Sequence, residues 1–246
     1  MGINYKMEVI TEVEVPNIKD LQTSRVCSID LGVNNFVTLT NNIGIKPIII
    51  NGKGLKSYNQ YYNKRKAKLQ SDVMKRNSKF WSNKLDSINF KRHNVMKNFI
   101  HNASKMIVNY CIKNNIDTLI CGYNKKWKQN VEMGTSNNQK FVSIPYKMFV
   151  DQLQYKCENV GIKYIINNES YTSGTSFLDG EMPTKENYNK SRRIKRGLFK
   201  SNTGKLINSD VNGSLQIMKK VFSDTISYEI EGVLNPIVIN VVKFTT

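Results

Sequence analysis

Hydrophobic positions in this chain fall first into short blocks and later into long helical spacings. Val26–Asp30, Phe36–Thr40 and Lys46–Asn51 are three brief β-rich runs with tight connections, the pattern of a meander of strands. Between Lys53 and Lys113 the period lengthens. No Pro occurs there, Gly ends at Gly54, and Val95, Phe99, Met106 and Tyr110 fall on one face, so the spacing predicts a helical hairpin. Thr118–Gly122 reads as a buried strand after the turn-like Asn114–Asp117. Phe149, Leu153, Cys157 and Val160 mark a helix that Gly161 ends. Ile162–Ile166 is a further short strand, and Val211, Leu215, Met218 and Phe222 recur at helical spacing to form the last helix. Glu8–Val15 alternates acidic and apolar groups like a single strand. The order is β-β-β-α-β-α-β, a loop and a final helix. It predicts an α/β fold: a mixed five-stranded sheet flanked by helices, with the helical hairpin inserted.

Composition narrows the partner. The 37 Lys and Arg against 19 Asp and Glu leave a net charge of +18 over 246 residues, which favours a polyanion. No run approaches the roughly 18 apolar residues of a spanning helix and no signal peptide opens the chain. The expectation is therefore a cytoplasmic protein that binds nucleic acid and not a membrane. The charge is concentrated: Lys53–Lys113 holds 15 Lys and Arg and two acids, Asp72 and Asp86. Lys64, Arg65, Lys66, Lys68, Lys75 and Arg76 are its candidate phosphate ligands, interleaved with Tyr58, Tyr61, Tyr62, Phe80, Trp81 and Phe90. Basic side chains bind phosphates by releasing counterions, and aromatic faces stack on bases. A solvated hairpin whose aromatics dock on the core is the plainer reading of the same residues.

Candidate chemistry rests on carboxylates. Cys27, Cys111, Cys121 and Cys157 stand far apart in apolar surroundings with no C-x-x-C, so they read as buried free thiols and not as a zinc or redox motif. Only His93 and His101 are present, which disfavours a histidine-built site. Asp30 closes the strand Cys27-Ser-Ile-Asp-Leu-Gly-Val33, and Asp210 lies in Ile207-Asn-Ser-Asp-Val-Asn-Gly-Ser214, where the last helix begins. A strand-end acid meeting a helix-start acid suits a divalent cation such as Mg²⁺, which takes oxygen ligands and serves phosphodiester chemistry. A turn aspartate and an N-cap aspartate would read the same way.

Seven stretches carry a family resemblance: Ser28-Ile-Asp-Leu-Gly-Val-Asn-Asn35, Asn124-Lys-Lys-Trp-Lys-Gln129, Asn137-Asn-Gln-Lys-Phe141, Glu169-Ser-Tyr-Thr-Ser173, Ser176-Phe-Leu-Asp179, Arg193-Ile-Lys-Arg-Gly-Leu198 and Asn208-Ser-Asp-Val-Asn-Gly213. In that order they resemble the RuvC-like nuclease half of the TnpB (OrfB) proteins of bacterial insertion sequences, relatives of the type V CRISPR effectors. The resemblance implies an RNase H-like (RuvC) fold and a transposon-encoded, Mg²⁺- or Mn²⁺-dependent DNA endonuclease guided by RNA from the element. It places the first catalytic aspartate on Asp30 and the last on Asp210.

Three departures qualify what the resemblance implies. The family's usual glutamate at the end of the fourth strand is replaced by Gly122. Glu169 ends the neighbouring predicted strand, about 4.8 Å away, and is the candidate third ligand; a surface cap or pair is its alternative role. The zinc ribbon expected between the last two motifs has no Cys or His from Thr172 to Asn208, so zinc is not expected. That insertion is basic instead, with Arg192, Arg193 and Arg196 as candidate nucleic-acid contacts, and either keeps a metal-free hairpin or lies loose. Few residues precede the first nuclease strand, so the large N-terminal lobe of the family is expected to be missing. The expected layout is a stub over 1–24, a RuvC-like domain over 25–222 containing the hairpin (53–115) and the insertion (172–208), and a tail over 223–246. The expectation is a truncated nuclease; a nuclease-silent nucleic-acid-binding remnant or repressor is the alternative.

Overall fold

The computed structural model describes residues 7–12, 14, 24–77, 80–124, 144–223 and 231–241. Residues 125–129 and Asn137–Phe141, which carry two of the motif stretches, lie outside the described residues. Strands β1 (Val26–Leu31), β2 (Asn35–Asn41) and β3 (Ile48–Asn51) form an antiparallel meander. Helices α1 (Lys53–Asn77) and α2 (Asn83–Lys113) follow, then β4 (Thr118–Gly122), α3 (Tyr146–Glu158) and β5 (Lys163–Asn167). A two-stranded hairpin, β6 (Leu198–Lys200) and β7 (Leu206–Asn208), leads into α4 (Ser209–Val221), and β8 (Ile237–Ile239) follows.

The expected five strands are corrected to six, in the order β5-β4-β1-β2-β3-β8, with β4 parallel to both β1 and β5. The added strand comes from the segment expected to be a tail. Ile237-Val-Ile239 pairs parallel with Ile48–Ile50, and the Ile237 N–H donates to the Pro47 carbonyl at 2.8 Å. Three residues are too few to show a period, and the strand is half solvated, so only its long-range partner makes it one. The strand expected over Glu8–Val15 is not found: its described residues belong to no element.

Two cores lie on opposite faces of the sheet. Cys27, Ile29 and Leu31 of β1 alternate toward α2 and α3, where Phe36 packs edge-on to Phe99 and Phe149 and stacks on Tyr146. Val26 and Ile120 face the other way, onto Val211, Leu215, Ile217 and Met218 of α4 and onto Phe177, Phe199 and Ile207. Each such side chain is worth about 1.5–3 kcal/mol of burial. The period of two along β1 therefore sends Asp30 to the α4 face. All four cysteines are free and buried.

Helix α1 touches the body chiefly through α2. Arg92 donates to the Oδ1 of buried Asn59 at 2.9 Å and lies over the Tyr62 ring, and Tyr62 donates to Asn89. These contacts zip the hairpin while most of its charges stay in water. No described helix is long and apolar enough to cross a membrane.

Candidate functional site

The outlet of β1 is a tight turn. A Cβ on Gly32 would stand 2.5 Å from the Asn35 carbonyl oxygen, so only glycine fits there. The Gly32 N–H donates to the Phe36 carbonyl at 3.1 Å, and the buried Tyr146 hydroxyl donates to the Gly32 carbonyl at 2.8 Å. Asp30 is thus carried on a fixed strand end. Helix α4 approaches it closely because the residues it presents there are small. A Cβ on Gly213 would lie 2.9 Å from Asp30 Oδ2, and Ser214 Oγ donates to the Ser28 carbonyl at 3.0 Å, beside Thr40.

Asp210 is not the helix cap. Asn208 takes that position, its Oδ1 accepting from the N–H groups of Asp210 and Val211 at 3.0 and 3.3 Å. The Asp210 carboxylate is left to face outward. Its Oδ2 accepts from the Asn35 amide at 2.6 Å, and its Oδ1 lies 3.6 Å from the Arg193 guanidinium.

Glu169 lies two residues beyond β5, and β4 separates β5 from β1. Two strand spacings, roughly 9–10 Å, therefore divide its backbone from that of Asp30. Gly122, at the end of the intervening strand, leaves the gap open. A Cβ there would stand 3.4 Å from Glu169 Oε2 and 2.4 Å from Ile217 Cδ1. Among the described residues Glu169 Oε2 is buried without a hydrogen-bond partner. Lys220 of α4 donates to the Asn168 and Ser170 carbonyls at 2.9 and 3.2 Å, one on each side of Glu169.

The acids feel one another. Burial first, then the Glu169 and Asp210 carboxylates, hold Asp30 well above the usual carboxylate range, against an opposing pull from Arg193. Burial pushes Glu169 up to about 7, with Lys220 opposing. Among the described residues no three His, Cys, Asp or Glu side chains form a ready-made ligand cluster. What the structure assembles is a set of mutually repelling carboxylates with one unsatisfied buried oxygen.

Beside Asp210 opens a cavity of about 690 Å³ lined by Gly32, Val33, Asn34, Asn35, Lys56, Arg193, Lys195, Arg196 and Gly197. Of the residues expected to contact nucleic acid, Arg193 and Arg196 line it. Arg192 does not: its guanidinium is paired with Glu181, and both side chains are mostly buried, at 14% and 15% exposure. Lys64, Arg65, Lys68, Lys75 and Arg76 project from α1 into solvent and Lys66 is half-buried. They lie on the hairpin and not in the cavity wall. Sequence reasoning missed Lys56 and Lys195 in that wall. Asn34 and Asn35 carried a signal, since they directly follow the Asp30 motif; Lys56, whose Nζ donates to Asn34 at 3.0 Å, carried none.

Within the insertion only β6 and β7 form a hairpin; the turns before them are tied to one another and to α4. Asp179 accepts from the Asn202 N–H at 2.7 Å, Glu181 accepts from the Ser176 N–H at 2.9 Å, and the Phe177 N–H donates to Asn212 at 3.0 Å.

Comparison with known proteins gives these elements a context. The model of a family described as probable transposase, OrfB_IS605, matches residues 5–128, and that of a Cas12f1-like TNB domain matches residues 146–217. No curated protein sequence matches significantly. Among solved structures, a Cas12f1–sgRNA–target DNA complex aligns with a TM-score of 0.57 and 18% identity, over 83% of this chain and 51% of that one. A CRISPR-Cas12f ternary complex aligns with a TM-score of 0.62 and 18% identity, over 86% of this chain and 41% of that one. At such identities the likeness is one of fold. The chain spans about half the length of the solved proteins it matches.

Proposed function

The chain belongs to the OrfB_IS605 family of probable transposases, and from that premise we propose that it is a metal-dependent DNA endonuclease of the RNA-guided kind with a RuvC-like centre. The observation that carries the reading is the convergence of Asp30 and Glu169 from parallel strand ends with Asp210 from the start of α4. Burial first, then Glu169 and Asp210, hold the Asp30 pKa above the usual range, and among the described residues one buried Glu169 oxygen lacks a partner. The strand order β3-β2-β1-β4-β5, with α4 packed on β1, supports an RNase H-like core to which β8 is added.

The residues fit Mg²⁺ or Mn²⁺. Their donors are hard oxygens, the repulsion among them is what a divalent cation relieves, and Glu169 Oε2 has a ligand position to spare. Asp30, Glu169 and Asp210 would hold the metal, which when bound activates water and stabilises the leaving oxygen. Asn35 orients the Asp210 carboxylate, and the Tyr146–Gly32 hydrogen bond fixes the turn after Asp30. Lys56, Arg193, Lys195 and Arg196 bind the phosphates that flank the scissile bond, and the exposed cations of α1 hold a more distant stretch of DNA or guide RNA. Arg193 exchanges its contact with Asp210 for a phosphate as substrate enters.

Manganese titration followed by calorimetry, together with cleavage of labelled single-stranded DNA in Mg²⁺, tests the reading. Asp30→Asn, Glu169→Gln and Asp210→Asn should each weaken cation binding by at least tenfold and abolish cleavage. Cation binding that persists in all three variants rejects the site. Because the described residues hold no ready-made ligand cluster, a nuclease-silent binding protein is the second reading. DNA binding by the parent protein without cleavage would favour it.

A further inference from the structure

We propose that Lys220 is the positioning residue that makes Glu169 usable from β5. The inference rests on the metal-site reading above and concerns how its most distant ligand is held. Glu169 lies outside any regular element, between β5 and a run of turns. A carboxylate on such a segment has no strand or helix to fix its direction. Hydrogen bonds from Lys220 and Thr172 supply that constraint. Lys220 Nζ donates to the Asn168 carbonyl at 2.9 Å and to the Ser170 carbonyl at 3.2 Å, so one ammonium ties down the backbone on both sides of Glu169. The Thr172 hydroxyl donates to the Glu169 carbonyl at 2.8 Å. With the peptide held at these points, the side chain is directed over Gly122, where Oε2 is buried and unpartnered.

The arrangement is economical in sequence because one helix sets both ends of the site. Helix α4 brings Asp210 in its first turn and Lys220 in its last, with Ile217 packed at Gly122 between them. Asp210 and Glu169 are thereby referred to the same rigid rod. A lysine serves here because its ammonium can share donors between two carbonyls while its stem runs along the helix.

Charge and position predict opposite effects, which makes the role testable. A cation near a metal site repels the incoming ion, so a purely electrostatic Lys220 would bind Mn²⁺ more tightly once neutralised. A positioning Lys220 would bind it more weakly, by about tenfold or more, as is usual when an outer partner of a ligand is removed. The experiment is calorimetric Mn²⁺ titration of the whole chain and of Lys220→Met, Lys220→Gln and Lys220→Arg, each also in a Glu169→Gln background. The expected result is weaker binding in Lys220→Met, partial recovery in Lys220→Arg, and no further loss when Lys220→Met is added to Glu169→Gln. Lys220→Gln keeps a donor without the charge and should fall between parent and Met. It serves as the decisive variant if Lys220→Met melts before titration. Unchanged or tighter binding in Lys220→Met or Lys220→Gln, with the parent still binding, overturns this inference alone. Absence of Mn²⁺ binding in the parent overturns the metal-site reading and this inference with it.

Discussion

At the scale of single residues, the acids of the site are a cost to the fold. Glu169 holds its proton up to about pH 7, whereas the same group in an unfolded chain releases it near 4.5. Between those values the folded state binds more protons, so stability should fall as pH rises from about 4.5 to about 7 and level off above. Calorimetry in chelator should show a loss on the order of 3 kcal/mol across that window, and Glu169→Gln should remove it. Equal slopes in the two proteins would mean that Glu169 is solvated. By the same logic Asp30→Asn should raise the melting temperature at about pH 8 without metal, since it relieves a buried charge facing two others. Gly122→Ala should cost about 1–3 kcal/mol, because Ile217 must yield to the added methyl; an unchanged midpoint in denaturant would refute the close packing. The strand-end place of Asp30 and the helix-start place of Asp210 were legible in the sequence because each ends or begins an apolar block. Tyr146, Gly213 and Lys220 were not, since each acts on a partner far along the chain: 114 residues away for Tyr146 and Gly32.

At the scale of elements, the insertion between Thr172 and Asn208 is held by ionic hydrogen bonds. Burial would raise Glu181, but the Arg192 guanidinium and the Ser176 N–H outweigh it and leave its pKa below the usual range. Its contribution is therefore present above the unfolded carboxylate pKa and is lost as pH falls through the lower folded value. Arg192→Ala should loosen this segment by about 1–3 kcal/mol, read as faster amide exchange over 176–203 with little change in the sheet. Uniform protection would show that the pair carries nothing. The helices and the first five strands were readable from period and turn chemistry. The sixth strand was not, because three half-exposed residues gain their identity from β3 and not from their own pattern. Arg192 misled for a related reason: its neighbours are basic, and only folding brings Glu181 to it.

At the scale of the whole molecule, charge and fold divide the work. Much of the net +18 lies on a hairpin whose first helix touches the body chiefly through α2, so the outward cations of α1 beyond Lys56, which reaches Asn34 at the cavity wall, can change without disturbing the site. Replacing Lys64, Arg65, Lys66 and Lys68 by Gln should leave the melting temperature nearly unchanged. It should lower the slope of log K against log salt for single-stranded DNA by up to about 3, near 0.7 for each phosphate no longer neutralised. Fluorescence anisotropy across a salt series measures it, and an unaltered slope would move the principal anion-binding surface to the cavity beside Asp210.

The Ser28–Ser214 hydrogen bonds join positions 186 residues apart, and this has a consequence in time. Closing so long a loop comes late in folding, and a chain leaving the ribosome grows by about 5–20 residues each second. Asp30 is therefore made many seconds before α4 can dock beside it. Once Lys113 has been made the polypeptide carries its full basic hairpin, yet Asp30 and Asp210 stand apart until α4 is complete. On the proposed reading, any capacity to cut arises only once α4 has docked, so a chain released earlier carries the basic hairpin without the assembled carboxylates.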